Sequence, residues 1–323
     1  MTTQFGDRLV VVTGATGQQG GATARRLLAA GTPVRALVRD TTAPAATALA
    51  AAGAEIVRGD FDDPSSLPAA LEGATALFAV PPMAYGPAGT DVEREFSRGR
   101  ALADAASAAG VRHVVFTGVA STPNPPAASQ GKSRIEDYLR ERIQLVTVLR
   151  PVRFMSNFLA SQAIGLDGIF DGVHRHIFPP DEPVQIIALE DIAEFAALAF
   201  DQPDRFAGRT LELAGDAPTP TEAVAAISEA TGTAVRYEQL THAEAFALNP
   251  EIAQVRERWA SGARWHADIE VLRVVHPGLR TLADWLAESG AASLRPRLVS
   301  HNAASGSADI GKPADKHRRD DRI

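Results

Sequence analysis

One glycine-rich stretch near the amino terminus restricts the possible folds more than any other part of the chain. A run of apolar, mostly β-branched residues leads into three glycines spaced three positions apart, Gly14, Gly17 and Gly20. A helical segment and a second apolar strand follow. The order is strand, glycine turn, helix and strand, over residues 9–12, 14–21, 22–30 and 34–39. This order is the context in which a glycine pattern indicates a dinucleotide-binding turn.

Each of the three glycines has a predicted physical role. Gly14 permits a sharp turn out of the strand, Gly17 leaves the backbone open to a diphosphate, and Gly20 lets the helix pack closely. The start of the helix adds unpaired N–H groups and a partial positive charge, which both favour phosphate. The stretch therefore predicts a cradle for the diphosphate of a nicotinamide dinucleotide.

Short apolar strands alternate with helices through the first half of the chain, which predicts an α/β fold with a doubly wound parallel sheet. With the strand order 3-2-1-4-5-6, a crevice opens between the first and fourth strands, where the glycine turn would face Pro81 and Pro82. The six predicted strands cover residues 9–12, 34–39, 54–58, 75–80, 111–117 and 145–149, and the helices include 44–52, 90–109 and 130–142.

The second half is less regular and predicts a small α/β substrate lobe. We place the nucleotide-binding domain at 1–150, the lobe at 151–297, partly interleaved with the first sheet, and a disordered tail at 298–323. Residues 154–173 read as helix and loop over the crevice. The expected strands are 184–188, 209–213 and 235–239, and the expected helices are 189–200, 221–231 and most of 241–290.

Composition excludes several classes of protein. The 323 residues include no cysteine, which excludes disulfides, thiolate catalysis and cysteine-ligated metals. No apolar run approaches the roughly 20 residues of a membrane helix, and the first residues lack the features of a secretion signal, so we expect a cytoplasmic protein without membrane contact. A net charge of −7 argues against nucleic acid as a partner. A nucleic-acid-binding tail is a weaker alternative, because acids offset its bases.

The end of the second predicted strand bears on cofactor choice. Arg39 stands where a guanidinium would bind the 2′-phosphate of NADP. Asp40 follows it and keeps NAD possible, because a carboxylate there would accept from the ribose hydroxyl. The alternative is a solvated arginine at a strand end. We favour NADP.

Two further segments are candidates for contact with the cofactor. Asp60 and Phe61 follow the third predicted strand, where Asp60 would accept from the adenine amine and Phe61 would offer a flat apolar face. A capped turn with a buried phenylalanine is equally consistent with these residues. Pro81 and Pro82 would touch the middle of the cofactor, or simply end a strand.

Lys132 is the only lysine before Lys312 in a chain rich in arginine. It precedes Ile135 by three residues and Leu139 by seven, which places it on the apolar face of its helix, toward the sheet and the crevice. It would hold the nicotinamide ribose and stabilise negative charge on a substrate oxygen, so it is the candidate catalytic residue. The alternative is an ion pair with Glu136 one turn away. The pair His174 and His176 lacks an accompanying carboxylate cluster, and no metal site is predicted.

At this point the chain resembles the NmrA-like, atypical short-chain dehydrogenase/reductase family. The matching segments run in order over residues 8 to 290 and are VTGATGQQGG (12–21), VRALVRD (34–40), GDFDD (59–63), HVVFTG (113–118), GKSRIEDYLR (131–140), LRPVRFMSN (149–157) and ALEDIA (188–193).

The resemblance implies a Rossmann fold that binds NAD(P), with a small carboxyl-terminal substrate lobe. Carried over by position, it places the cofactor against the glycine turn, the strand ends, the lysine and the segment after the sixth strand. The implied contacts are Gly14, Ala15, Thr16, Gly17, Gln18, Gln19, Arg39, Asp60, Phe61, Val80, Pro81, Pro82, Lys132, Phe154, Met155, Ser156 and Asn157.

The sequence departs from ordinary short-chain dehydrogenases at one position. The residue four before Lys132, a tyrosine in those enzymes, is Ala128, and Tyr85 is a remote substitute. The resemblance implies either an NADPH-dependent reductase of a small, apolar, conjugated acceptor such as a quinone or enone, or a non-catalytic NADP(H)-sensing regulator that binds a protein partner. The retained crevice and lysine favour the reductase.

Overall fold

The strands of the protein form one large sheet and three small ones. A computed structural model describes residues 8–81, 84–86, 89–160 and 166–305, with side chains described to residue 298. The strands in this part of the chain are β1 (Val10–Val12), β2 (Val34–Val38), β3 (Glu55–Arg58), β4 (Ala76–Ala79), β5 (Tyr85–Gly86), β6 (Gly89–Thr90), β7 (His113–Thr117), β8 (Leu145–Pro151), β9 (Arg153–Phe154), β10 (Val173–His176), β11 (Ile186–Ile187), β12 (Thr210–Leu213) and β13 (Arg236–Gln239).

The large sheet has seven parallel strands in the order β12-β8-β7-β4-β1-β2-β3. Val10 of β1 pairs with Val34 of β2 on one side and with Ala76 of β4 on the other. Successive strands are therefore added toward one edge of the sheet from β1 and toward the other edge from β4. The crevice between β1 and β4 is where such sheets bind ligands. The predicted fold class and the order of the first six strands are confirmed, and β12 adds a seventh strand beside β8.

The described helices cover both faces of this sheet or belong to the second half of the chain. They are α1 (Gln18–Ala29), α2 (Pro44–Ala51), α3 (Leu67–Leu71), α4 (Val92–Ala108), α5 (Gln130–Arg142), α6 (Leu189–Asp201), α7 (Pro203–Phe206), α8 (Pro220–Thr231), α9 (His242–Leu248), α10 (Pro250–Ala260), α11 (Ile269–Val275), α12 (Leu282–Trp285) and α13 (Ala291–Ser305). No helix in the described ranges is long and apolar enough to cross a membrane.

Alternation along β1 explains the two layers of the core. Val10 and Val12 belong to the apolar cluster that α1 and α6 cover, and Val11 belongs to the cluster that α4 and α5 cover. Both faces are buried because helices lie on each, so the strands are continuous apolar runs rather than alternating ones. This burial fixes the carboxyl ends of the strands, where several of the predicted cofactor contacts lie.

Three differences from the predictions exceed two residues. Helix α1 begins at Gln18 instead of residue 22, because the glycines are already part of its first turn. The segment expected to be helix and loop over 154–173 is a 3₁₀ turn over Met155–Leu159, and it leads to β10, whose polar sequence carries no apolar alternation. Helix α13 extends to Ser305, beyond the expected start of the tail at residue 298; residues 306–323 lie outside the described ranges.

The second half of the chain adds its own core beside the sheet. Strand β10 pairs in parallel with β13, and β11 pairs with β9, directly after β8. Two further apolar clusters fill this region, one around Phe158 and Trp285 and one around Phe178 and Trp259. The lobe thereby lies over the carboxyl ends of β7 and β8.

Candidate active site

The glycine turn after β1 has the geometry expected of a phosphate cradle. Gly14 has φ +59°, in the left-handed region that a side chain disfavours. A Cβ on Gly20 would lie 2.3 Å from the carbonyl oxygen of Gly14 and 2.6 Å from that of Thr13. Because a real Cβ does not approach backbone oxygens so closely, only glycine lets α1 pack against the turn. A Cβ on Gly17 would lie 3.2 Å from the same Gly14 oxygen.

The start of α1 is open to an anion. Gly17 is the N-cap and supplies no side-chain acceptor, and no acidic residue stands in the first turn. The first N–H groups of a helix lack intrahelical partners and carry a partial positive charge. Thr16, Gly17 and Gln18 are exposed here. A cradle without side chains beside an uncapped helix start fits the diphosphate of a dinucleotide.

Thr13 joins the glycine turn to the end of β4. Its hydroxyl accepts from the backbone N–H of Val80 at 2.8 Å, and a Cβ on Gly14 would lie 3.3 Å from the Val80 Cβ. Val80 and Pro81 therefore face the turn across the crevice between β1 and β4, as the sequence predicts. Pro82 lies outside the described residues.

The end of β2 presents an exposed guanidinium. Arg39 has no acidic partner among the described residues, whereas Asp40 accepts from the backbone N–H and the hydroxyl of Thr42, at 2.8 and 2.6 Å. Arg58, which sequence reasoning missed, ends β3 in register with Val38 and is also exposed. The sequence holds this arginine, but strand pairing was needed to show that it ends the strand next to β2.

The segment after β3 matches the structural alternative better than the adenine contact. Phe61 is only 8% exposed and packs in the core with Leu67 and Leu71. Its ring therefore offers no open face to a nucleotide. Asp60 accepts from the backbone N–H of Asp62 at 3.0 Å in a local turn and remains half-buried at the strand end.

A cleft of about 560 Å³ lies between the glycine turn and the lobe. Gln18 and Gln19, on the first turn of α1, reach across its edge: Gln18 accepts from Ser156 Oγ at 2.8 Å and Gln19 from Thr117 Oγ1 at 2.6 Å. Five of the predicted contacts beyond the turn line this cleft, whereas Met155 is fully buried in the lobe core. Predicted residues in the wall are Gln19, Val80, Pro81, Lys132, Phe154 and Asn157.

Lys132 lines the same cleft and is held by a buried carboxylate. Its ammonium donates to Glu95 Oε1 on α4, and Glu95 is fully buried. A Cβ on Gly131 would lie 2.3 Å from Glu95 Oε2, so this glycine admits the carboxylate to the start of α5. The predicted inward direction of Lys132 is consistent with this wall position. The alternative partner is wrong, because Glu136 binds Arg150 at 2.5 Å instead.

A buried ionic cluster, which the sequence did not reveal, forms the lobe side of the cleft. Arg153 binds Asp167 at 2.5 Å, Asn157 donates to Asp167 at 3.2 Å, and His176 Nε2 lies 3.6 Å from Asp167. Burial alone would raise the pKa of Asp167, but Arg153 and His176 lower it well below its usual value. His174 Nδ1 lies 2.7 Å from the Gly168 carbonyl oxygen.

Burial keeps both histidines of this cluster neutral near pH 7. It lowers the pKa of His174 to about 3, assisted by the charge of Arg153. It also lowers the pKa of His176 to about 4, against the opposing effect of Asp167. Within the described ranges, no group of three or more His, Cys, Asp or Glu side chains could hold a metal ion.

The three tyrosines occupy different parts of the described structure. Tyr138 donates to Asp104 at 2.7 Å on the outer side of α5, and Tyr237 donates to the Phe178 carbonyl at 2.6 Å inside the lobe. Tyr85, on β5, is 66% exposed. None of the three is in the wall of the cleft as described. A phenolic proton donor is therefore missing from the described wall.

Comparison with known proteins places this architecture in a family. The model of the NmrA-like family matches residues 6–280. Since this covers most of the chain, the protein belongs to the NmrA-like family, as the sequence motifs predict.

Three proteins that are similar to this chain are named as two redox enzymes and one regulator. A (4-alkanoyl-5-oxo-2,5-dihydrofuran-3-yl)methyl phosphate reductase of Streptomyces griseus is 33% identical over 87% of this chain and 97% of its own. The NADPH-dependent quinone oxidoreductase of Escherichia coli, solved with NADPH, is 26% identical, with a TM-score of 0.68 over 86% and 98% of the two chains. NmrA, described as a negative transcriptional regulator, is 20% identical, with a TM-score of 0.70 over 93% and 98%, and shows the shared fold.

Proposed function

We propose that this protein is an NADPH-dependent reductase of a small, mostly apolar, conjugated acceptor such as a quinone or an enone. The observation that carries the proposal is one cleft, bordered by the phosphate cradle at one end and by Lys132 at the other. Relatives with reductase names at 33% and 26% identity support the same activity. A cytoplasmic location is part of this proposal.

Residues on several elements would contact an extended dinucleotide. The turn from Gly14 to Gln19 would hold the diphosphate, and Val80 and Pro81 would contact its middle. Phe154, Ser156 and Asn157 would border the nicotinamide, next to Lys132.

The strand ends favour NADP over NAD. Arg39 and Arg58 are two exposed guanidiniums at adjacent strand ends, a suitable pair for a 2′-phosphate. Asp40, whose carboxylate would serve the ribose of NAD, uses one of its two oxygens, Oδ1, to accept from Thr42. NAD remains possible as a weaker cofactor, because the cradle does not distinguish the two.

The chemistry assigned to Lys132 is electrostatic. When bound, reduced nicotinamide supplies a hydride. Lys132 then stabilises the negative charge that the acceptor oxygen gains and passes it a proton, which water replaces. Glu95 holds the ammonium in position through the hydrogen bond between α5 and α4. Val119, Ile177 and Trp265 give the cleft an apolar wall against which an apolar acceptor would pack.

One observation favours the alternative, a non-catalytic NADP(H)-sensing regulator that binds a protein partner. Ala128 replaces the proton-donating tyrosine, and no tyrosine stands in the described wall of the cleft. We rank this function second, since the likeness to the regulator at 20% identity concerns the fold alone.

The experiment that separates the two functions is NADPH oxidation against a panel of quinones and enones. Turnover of at least one acceptor, with NADPH preferred to NADH, is expected of the reductase. Tight NADP binding without turnover on any acceptor would contradict the reductase and support the regulator. Fluorescence titration of the cofactor provides the binding measurement in either case.

A further inference from the structure

A second chamber adjoins the cleft at Lys132. Its volume is about 290 Å³, and it lies between the loop after β7 and helix α10. The two chambers have five wall residues in common, so Lys132 lines both. The shared residues are Val119, Lys132, Phe178, Val255 and Trp265.

Aromatic rings form one wall of the second chamber. The ring centroids of Phe178 and Trp259 are 4.5 Å apart, and those of Trp259 and Trp265 are 5.3 Å apart. Such a wall suits a flat, conjugated molecule, because aromatic groups gain from edge and offset contacts beyond the area they bury. Two of the three tryptophans of the chain lie in this wall.

Arg258 differs from the other cationic residues of the chamber because it has no acidic partner within the described residues. It is half-buried on α10 and donates to the Pro123 carbonyl at 3.0 Å and to Thr122 Oγ1 at 3.5 Å. No carboxylate pairs with it among the described residues. By contrast, Arg150 in the same wall binds Glu136 at 2.5 Å and Glu212 at 3.2 Å. Lys132 is likewise paired with Glu95. Arg258 therefore keeps a charge that the protein does not neutralise.

A second polar group in this wall also lacks a partner. The indole Nε1 of Trp259 is buried and has no hydrogen-bond acceptor within the described residues, although the residue is only 4% exposed. A buried donor without an acceptor costs about 1–3 kcal/mol.

We propose that the second chamber binds an anionic oxygen group on the acceptor, such as a carboxylate, sulfonate or phosphate, through Arg258. The conjugated body of the acceptor lies along the aromatic wall and reaches Lys132 in the first chamber. This inference rests on the proposed function, since it specifies the acceptor that the reductase prefers. It makes Arg258 a specificity-determining residue that does not take part in hydride or proton transfer.

The test compares a naphthoquinone sulfonate with its uncharged parent naphthoquinone. Both are measured as acceptors in NADPH oxidation. Both are also titrated against the protein saturated with NADP⁺, in which Trp259 and Trp265 report binding by fluorescence quenching without any turnover. Wild type should bind the sulfonate more tightly than the parent compound.

Arg258→Gln should weaken binding of the sulfonate by roughly tenfold or more, the loss expected for one charge-assisted hydrogen bond, and leave the parent compound nearly unchanged. Arg258→Lys keeps the charge and should retain part of the preference. Arg256→Gln is the matched control. Arg256 lies on the same helix, donates to the Leu240 carbonyl at 3.1 Å and is not part of either chamber wall.

The outcomes separate this inference from the proposed function. An unchanged ratio of sulfonate to parent binding in Arg258→Gln would overturn the inference, even if the parent quinone is reduced efficiently. Arg258-dependent binding of the sulfonate without turnover of either compound would support the chamber and overturn the reductase. An equal loss in Arg256→Gln and Arg258→Gln would show that the effect comes from the net charge of the protein and not from Arg258 itself. That result would also overturn the inference.

Discussion

The ammonium of Lys132 on α5 donates to the fully buried carboxylate of Glu95 on α4, 37 residues earlier in the chain. Glu95 Oε2 is buried without a further partner among the described residues. The lysine thus has two roles. It faces the cleft, and it supplies the one hydrogen bond and the positive charge that this carboxylate meets within the described structure. Substitution of the lysine alone would disturb both.

Lys132→Ala should therefore lower stability as well as activity. Removing one member of a buried ion pair leaves the other charge uncompensated, at a cost of about 3 kcal/mol or more. Urea unfolding should show a lower midpoint for this variant. Loss of activity in Lys132→Ala would then not by itself prove a catalytic role.

The double variant Lys132→Met, Glu95→Gln separates the two roles. It removes both charges, so the midpoint of unfolding should return toward that of wild type while NADPH oxidation stays low. A stable double variant with wild-type turnover would show that Lys132 is structural only.

Gly20→Ala should abolish cofactor binding by displacing α1. The added Cβ would meet backbone oxygens at 2.3 and 2.6 Å, and backbone cannot move aside as a side chain can. Gly21→Ala is the graded control, because its nearest backbone oxygen is at 3.1 Å. We expect NADPH titration to show little or no binding for the first variant and a smaller loss for the second. Equal affinity of Gly20→Ala and wild type would contradict the cradle.

Arg39→Ala should change cofactor preference. Loss of a charged hydrogen bond to a 2′-phosphate should weaken NADPH binding by about tenfold or more, while NADH, which lacks this phosphate, should bind nearly as before. Arg209→Ala, which removes an exposed arginine next to β12 at the opposite edge of the sheet, controls for net charge. A parallel loss of NADPH and NADH affinity would count against the assigned contact, as would no loss at all.

His113 should make the protein less stable in mild acid. It lies at the start of β7, is 6% exposed and packs edge-on against Phe200. Burial lowers its pKa from 6.5 to about 4, so below pH 6.5 the unfolded chain takes up a proton that the folded chain refuses. Stability is fully present above about pH 6.5 and falls as the pH approaches 4, by up to about 3 kcal/mol from this residue.

The measurement is urea unfolding of wild type and His113→Leu between pH 7 and about pH 4.5. The slope of stability against pH should be smaller in the variant but not zero, because the buried His174 and His176 act in the same direction. Identical slopes would show that His113 is already protonated, or hydrated, in the folded protein.

Much of the fold follows from local sequence patterns. Helix α5 has the predicted bounds, and the strands of the sheet lie within one or two residues of the predicted ones, because apolar runs and glycine stops are local signals. Strand β10 carries no such local signal, and the sequence did not predict it. Its segment, Val-His-Arg-His, is largely buried because the lobe packs around it.

The site could be predicted only where a local motif defines it. The turn after β1 carries its own signal, whereas the partner of Lys132 does not, since Glu95 lies on another helix and Glu136 is the nearer acid in sequence. The Arg153–Asp167 pair and the chamber around Arg258 depend on loops that meet only in the folded protein. Phe61 shows why residue type alone leaves alternatives open, because a phenylalanine that suits adenine also suits the core, where it packs.

Strand β12 completes the large sheet from far along the chain, and α6 covers the same face as α1. A recombinant fragment ending near residue 150 would lack β12, so the apolar strand β8 would become an exposed edge of the sheet. It would also lack α6, which covers this face together with α1. A shortened form of this protein, for crystallisation or for use as a fusion module, must therefore retain the chain through Leu213, the last residue of β12.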